Sequence, residues 1–529
     1  MKRIWHALRV ALALMPVLGG VQFASAEVRL PSLLGDNLVL QRQQPVPIWG
    51  WAEPGEEVTV AMRGQERKAV AGADGKWRVA FDPMEAVAEP FAIEVKGTNS
   101  ITLNNALVGE VWFCSGQSNM YMQVQNSAHY KETLEDAADP LLRQITFPMA
   151  ASATPRDEAE GKWVESNTDS VGSFSGVAYY FARRLREETG VPVGLIHSSW
   201  GGTLIEPWIS PAAIQTDPAL ERLRTTLATV EKDATDHSAN YAEYRQIYIQ
   251  RQNELPELHK KWVEETKRRE AENLDPEPEP TLSRNAPGSH QLPGFLYNSM
   301  VHPATPYAIR GALWYQGESN TYNNVDIYED LLVALVKSWR AAWGQNVWFL
   351  CVQLPNYHPL QTEPVEKSGW ARVREAKRRA MARLDRAGLA TTIDIGDAAD
   401  IHPLNKRDVG IRLANIALAE CYNVAGIAAH SPAMKSVKFD GAKARVIFEH
   451  ADGLTTKDGK PPATFAIAGA DKKWVFANAV LEGAEVVLSA EGVAEPVAVR
   501  LGWANNPPIN LVNAAGLPAT PFRTDDWEE

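Results

Sequence analysis

At 529 residues the chain is too long for one hydrophobic core, and two or three domains are expected. Its formal charge of −12 argues against a nucleic-acid partner. Of the three cysteines, Cys114 and Cys351 sit inside apolar strand-like runs and Cys421 near a helix end, and an odd number of mostly buried thiols suggests packing rather than a disulfide framework. No Cys/His spacing resembles a zinc site, and no cofactor is expected.

Taken in chain order, residues 1–26 open with Lys2, Arg3 and Arg9, continue through an apolar run from Val10 to Leu18, and close on Ala24-Ser25-Ala26. This is the pattern of a signal peptide. Pro16, Gly19, Gly20 and Gln22 interrupt the run short of the roughly 20 apolar residues that a membrane helix needs. The expectation is a periplasmic or secreted protein with no membrane span after cleavage, beginning at Glu27 and three charges more negative than the full chain.

Residues 27–105 lack helical periodicity. Turn signals at Gly35-Asp36-Asn37, Glu53-Pro54-Gly55 and Ala73-Asp74-Gly75 divide them into short strands, which predicts a β-sandwich. From 106 to 428 the pattern changes to strand and helix in alternation. Apolar runs at Val111–Cys114, Val193–Ile196, Ile309–Trp314, Val347–Leu350 and Leu389–Ile393 read as buried strands. Helices are predicted over 178–188, 328–343, 370–384 and 406–420. An α/β core with a parallel sheet covered on both faces follows. Inside it, residues 211–290 form a charged helical insertion, closed by Asp275-Pro276-Glu277-Pro278-Glu279-Pro280, through which no regular element can continue. A lid is one reading of it and surface elaboration the other. Residues 429–529 return to short strands, as at 444–448, 464–467 and 497–501.

Polar clusters follow the strand ends, where open α/β sheets bind ligands. After the first comes Gly116-Gln117-Ser118-Asn119-Met120, which lifts Ser118 to the carboxyl edge. A serine nucleophile needs a base and donors for the oxyanion. His402, on the loop after the last strand, is the candidate base. Gly201 and Gly202 offer close backbone approach, and the Ser118 amide opens a helix. Gln316 or Asn320 could supply a side-chain donor. Gln117 joins the substrate-binding set, and Glu318 is read as orienting its neighbours rather than attacking. His197 and His302 read as structural, and Trp200, beside the glycines, is a candidate for stacking on a sugar.

Three motifs, Gly116-Gln117-Ser118-Asn119-Met120, Trp314-Tyr315-Gln316-Gly317-Glu318-Ser319-Asn320 and Asp400-Ile401-His402-Pro403-Leu404-Asn405-Lys406, together resemble the sialate O-acetylesterase family of the SGNH hydrolases. The segment Leu296–Pro303 and the tail from Gly502 to Asp525 extend the resemblance over nearly the whole mature chain. It implies a flavodoxin-like α/β/α hydrolase core with a flanking β-domain and metal-free removal of acetyl groups from sugars. The substrate it suggests is O-acetylated sialic acid, with acetylated xylan, xyloglucan or pectin as alternatives. A carbohydrate-binding protein without catalysis is the rival of another class. One position departs from the pattern: the acid usually three residues before the histidine is here Ala399. The side chains of Asp394, Asp397 or Asp400, or the Asp400 carbonyl, are the candidates to orient His402, and Asp400 is preferred as the nearest.

Overall fold

The computed structural model describes residues 27–236 and 289–528, with a few helical positions between 257 and 269. The predicted signal peptide and the Asp/Glu-Pro run at 275–280 lie outside the described residues.

The centre is a mixed sheet. Its strands are β1 (Ser100–Gly116), β2 (Asp139–Thr146), β3 (Val164–Ser166), β4 (Val193–Ser199), β5 (Gly311–Tyr315), β6 (Trp348–Val352) and β7 (Ala387–Ala390). They lie side by side in the order β7-β6-β5-β1-β4-β2-β3, parallel throughout except for β3. Alternate residues of each central strand face opposite layers. In β1, Trp112 and Cys114 pack with helices α2 (Gly176–Thr189) and α5 (Lys406–Ile416), whereas Val111 and Phe113 pack with α3 (Tyr328–Trp343) and α4 (Gly369–Ala382). Both faces are thus buried, which is why these strands read as continuous apolar runs.

The helices begin and end on local signals. Ser175 and Ser368 cap α2 and α4 by accepting from the Ala178 and Ala371 amides, and α2 and α3 stop at Gly190 and Gly344, both in the left-handed region. Helix α5 continues for one wider turn over Ala417–Cys421.

Two elements differ from expectation. Strand β2 was not legible because Arg143 and Gln144 break its apolar run, yet both are buried. Arg143 donates to the Asn37 carbonyl and to Glu165, each at 3.0 Å, so its charge is satisfied inside. The boundary expected at 105/106 falls within β1. Its first half pairs with Val87–Lys96 in the N-terminal sheet and its second half lies in the centre of the core, so one 17-residue strand serves both. A separate pair, Val46–Trp51 with Lys76–Phe81, completes the N-terminal β region.

Beyond α5, two four-stranded antiparallel sheets enclose their own core, including Val446, Phe465, Leu488, Leu501 and Phe522. Arg374 of α4 ties this region to the centre. Fully buried, it donates to the carbonyls of Leu354, Pro355, Ala504 and Asn505 at 2.7–2.8 Å. The start of the charged insertion is helical, over Pro211–Thr216 and Glu221–Asp236, and the rest lies mostly outside the described residues. Among the described residues no helix is long and apolar enough to cross a membrane.

Candidate active site

Strand β1 ends at Gly116, where φ is +140° and a Cβ would lie 2.1 Å from the Tyr315 carbonyl oxygen, so the position requires glycine. That close approach laces three strand ends together. The Gln117 amide donates to the Tyr315 carbonyl at 2.9 Å, and the Trp200 amide to the Gly116 carbonyl at 3.1 Å. The next residue, Ser118, opens the one-turn helix α1 (Ser118–Tyr121).

His402, on the loop between β7 and α5, brings Nε2 to 2.8 Å from Ser118 Oγ. An imidazole nitrogen at this distance can accept the hydroxyl proton. On the other side of the ring, Asp400 Oδ1 lies 3.6 Å from Nδ1 and accepts from the His402 main-chain amide at 2.8 Å. Both side chains are about half exposed, at 42% for His402 and 54% for Asp400. The other two candidate acids are engaged elsewhere. Asp394 forms a bidentate pair with Arg412 at 2.6 and 2.8 Å, and Asp397 accepts from the Ala399 amide at 2.8 Å.

Gly201 follows β4, and a Cβ built on it would stand 3.3 Å from that of Ser118. Among the described residues, the Ser118 and Gly201 amides have no protein acceptor. Gly202 is exposed and turned to φ +72°, and its carbonyl accepts from Gln291 at 2.9 Å. Donors with free N–H groups therefore lie beside the serine.

Gln316 and Asn320 are the side chains expected from the sequence to offer a donor there. Both are fully buried. Gln316 Nε2 already donates to the Thr203 carbonyl and to Asn320 Oδ1, and its Oε1 accepts from Tyr328. Asn320 Nδ2 donates to Glu206 Oε2 and the Asn323 carbonyl. With both N–H bonds of each amide spent, these residues build the wall behind the site. Gln117 differs: its Oε1 accepts from the Gly317 and Ser319 amides at 3.3 and 3.4 Å, and its Nε2 has no acceptor among the described residues.

Glu318 accepts from Asn119 Nδ2 at 2.6 Å, while its Oε2 is buried with no partner among the described residues. Sequence reasoning gave no role to Asn119, Lys406 or Glu206, although the first two stand inside the motifs it singled out. Burial was the missing signal: Lys406 is fully enclosed and donates to Asn119 Oδ1. Burial pulls the Lys406 ammonium down to about 7, against the pull of Glu318 and Asp400.

His197 is buried against Ser199, with Nε2 to Oγ at 2.7 Å, and burial pushes its pKa down to about 4, which suits a structural residue. Burial also lowers His302. One face of Trp200 is stacked on His290, centroids 4.4 Å apart and nearly parallel.

Residues 283–419 match a family model described as carbohydrate esterase, sialic acid-specific acetylesterase. The chain is 28% identical to mouse sialate O-acetylesterase over 444 residues, covering 78% of this chain and 76% of that one. With human sialate O-acetylesterase it shares 25% identity over 562 residues, covering 97% and 95%. A solved carbohydrate acetylesterase from Xanthomonas citri superposes with a TM-score of 0.77 at 32% identity, over 95% of this chain and 100% of that one. A likeness at that identity over the full length of a solved relative, in agreement with the motif segment and the sequence relatives, places the chain in the carbohydrate-esterase family related to the sialate O-acetylesterases.

Proposed function

We propose that the protein is an O-acetylesterase of acetylated carbohydrate, working through an acyl-enzyme on Ser118. The observation that carries the reading is the 2.8 Å contact between Ser118 Oγ and His402 Nε2 at the carboxyl edge of the sheet. Ser118 attacks the acetyl carbonyl as His402 takes its proton. The oxyanion is held by the Ser118 and Gly201 or Gly202 amides, aided by Gln117 Nε2. Collapse of the tetrahedral intermediate expels the sugar alkoxide, which receives the proton from His402. Water, deprotonated by the same imidazole, then attacks the acyl-enzyme, and the second tetrahedral intermediate collapses to acetate as Ser118 Oγ leaves and takes the proton back from His402. Asp400 stabilises the imidazolium across the 3.6 Å gap.

The core is read as flavodoxin-like. Setting aside β2 and β3 at the edge, its five parallel strands run in the order 2-1-3-4-5 when numbered along the chain. The N-terminal and C-terminal β regions flank it as accessory units. The basic and apolar residues before Ala24-Ser25-Ala26 support export, to the periplasm or the medium, and N-terminal sequencing from the native host should begin at Glu27.

Acetate release from O-acetylated sialic acid, acetylxylan and acetylated xyloglucan decides the sugar. A non-catalytic sugar-binding protein would release none, from these or from p-nitrophenyl acetate. In the sequence no basic cluster borders the motifs except Lys406-Arg407, and among the described residues Lys406 is buried while Arg407 pairs with Glu132, which favours a neutral glycan over a carboxylated one.

A further inference from the structure

Asn119 follows Ser118 on α1, and its carboxamide is where three other elements meet. Nδ2 donates at 2.6 Å to Glu318 Oε1, on the loop after β5, and at 3.1 Å to the carbonyl of Ile401, one residue before His402. Oδ1 accepts from Lys406 Nζ, at the start of α5. The surroundings fix the orientation of the amide. Turned over, it would set its oxygen against a carboxylate and a carbonyl, and its N–H groups against an ammonium. Asn119 and Lys406 are fully buried and Glu318 is 5% exposed. Buried charges of opposite sign around one amide are costly to separate, so the arrangement is stiff.

The His402 loop is otherwise held by few ties to the serine side. Asp400 and Asp397 bond within the loop, and the Leu404 carbonyl accepts from the Ala128 amide at 2.9 Å. His402 itself is half exposed, with its nearest acid at 3.6 Å rather than at hydrogen-bond distance. The firm connection between the histidine and the serine therefore comes from beneath, through Asn119.

We infer that Asn119, Glu318 and Lys406 are positioning residues: a buried bridge that sets the Ser118–His402 distance by holding the Ile401 carbonyl to the residue after the serine. The bridge does from inside the protein what an acid at position 399 would do from the other side of the imidazole. The pull that Glu318 exerts on the Lys406 proton is consistent with the two acting as a charge pair across Asn119.

This inference rests on the esterase reading, and the test separates the two. Folded Asn119→Ala should lose about a hundredfold in kcat on p-nitrophenyl acetate with KM within threefold of the parent, the loss expected of a displacement of about 1 Å between reacting groups. Its rate of labelling by a serine-directed phosphonate should fall in parallel. Glu318→Gln keeps an acceptor for Asn119 Nδ2 and should stay within tenfold of the parent, while Glu318→Ala should fall with Asn119→Ala. The double variant Asn119→Ala/Glu318→Ala should lose no more than either alone, because both break one bridge. If Asn119→Ala does not fold, Asn119→Asp carries the test, since its carboxylate keeps Lys406 but has no proton for Glu318 or Ile401. The same kcat-only loss is expected. Retained kcat in folded Asn119→Ala or Asn119→Asp, or losses that multiply in the double variant, overturn the bridge. A parent enzyme that neither hydrolyses the ester nor takes the phosphonate overturns the esterase reading and the bridge with it.

Discussion

Replacing Asp400 with Asn removes one charge and little else. The Asn Oδ1 can still accept from the His402 amide, as Asp400 Oδ1 does at 2.8 Å, so the loop keeps its turn. What is lost is the attraction between a carboxylate and the imidazolium formed in the transition state, across 3.6 Å. At that distance Coulomb's law gives about 1 kcal/mol at the dielectric of water and about 4.6 kcal/mol at an effective value of about 20. With both side chains about half exposed, screening sets the contribution in the lower half of that range. The expected loss in kcat is about 10- to 100-fold, well below the roughly 10⁴-fold seen when a buried triad acid becomes an amide. The assay is steady-state hydrolysis of p-nitrophenyl acetate at one pH, with Asp394→Asn and Asp397→Asn as controls, both near parental activity because those acids serve Arg412 and the Ala399 amide. Activity within twofold of the parent in Asp400→Asn would refute a carboxylate role and assign the orientation to the main chain. A collapse confined to Asp394→Asn or Asp397→Asn would refute the geometry itself.

Gly201→Ala sets a methyl 3.3 Å from Ser118 Cβ and should lower kcat about tenfold with little change in unfolding free energy, read by hydrolysis and urea denaturation. His197 is held neutral, with its pKa depressed to about 4, so the unfolded chain binds the extra proton between about 4 and 6.5. Stability should therefore rise with pH across that window and lose about 3 kcal/mol on acidification through it. His197→Gln should show that much less pH dependence, by denaturation at pH 4 and 7. Arg374→Met removes the guanidinium from four carbonyls and leaves those of Leu354 and Ala504 with no donor among the described residues, while Pro355 keeps Trp370 and Asn505 keeps the Tyr357 amide; it should cost about 3 kcal/mol, read as a lower urea midpoint.

Strands covered on both faces are apolar at every position, so the runs through Val111–Cys114 and Val193–Ile196 were legible, as was the helix Tyr328–Trp343. Strand β2 was hidden because its buried Arg143 is satisfied by partners distant in sequence, Asn37 and Glu165. Ser118 and His402 could be picked out because strand ends concentrate chemistry, but the burial that commits Gln316 and Asn320 to the protein wall has no local signature. Lys406 closes one of the quoted motifs, but nothing in the neighbouring sequence marks it as buried. Its enclosure depends on Asn119, 287 residues away along the chain.

The central claim is an acetyl-enzyme on Ser118. The direct measurement is peptide mass mapping of enzyme quenched in acid during turnover of an acetylated oligosaccharide. The account predicts an acetyl group on the peptide containing Ser118 in the parent and none in Ser118→Ala, with hydrolysis in that variant lowered by several orders of magnitude. Acetyl found on another residue, or parental turnover by Ser118→Ala, would contradict it.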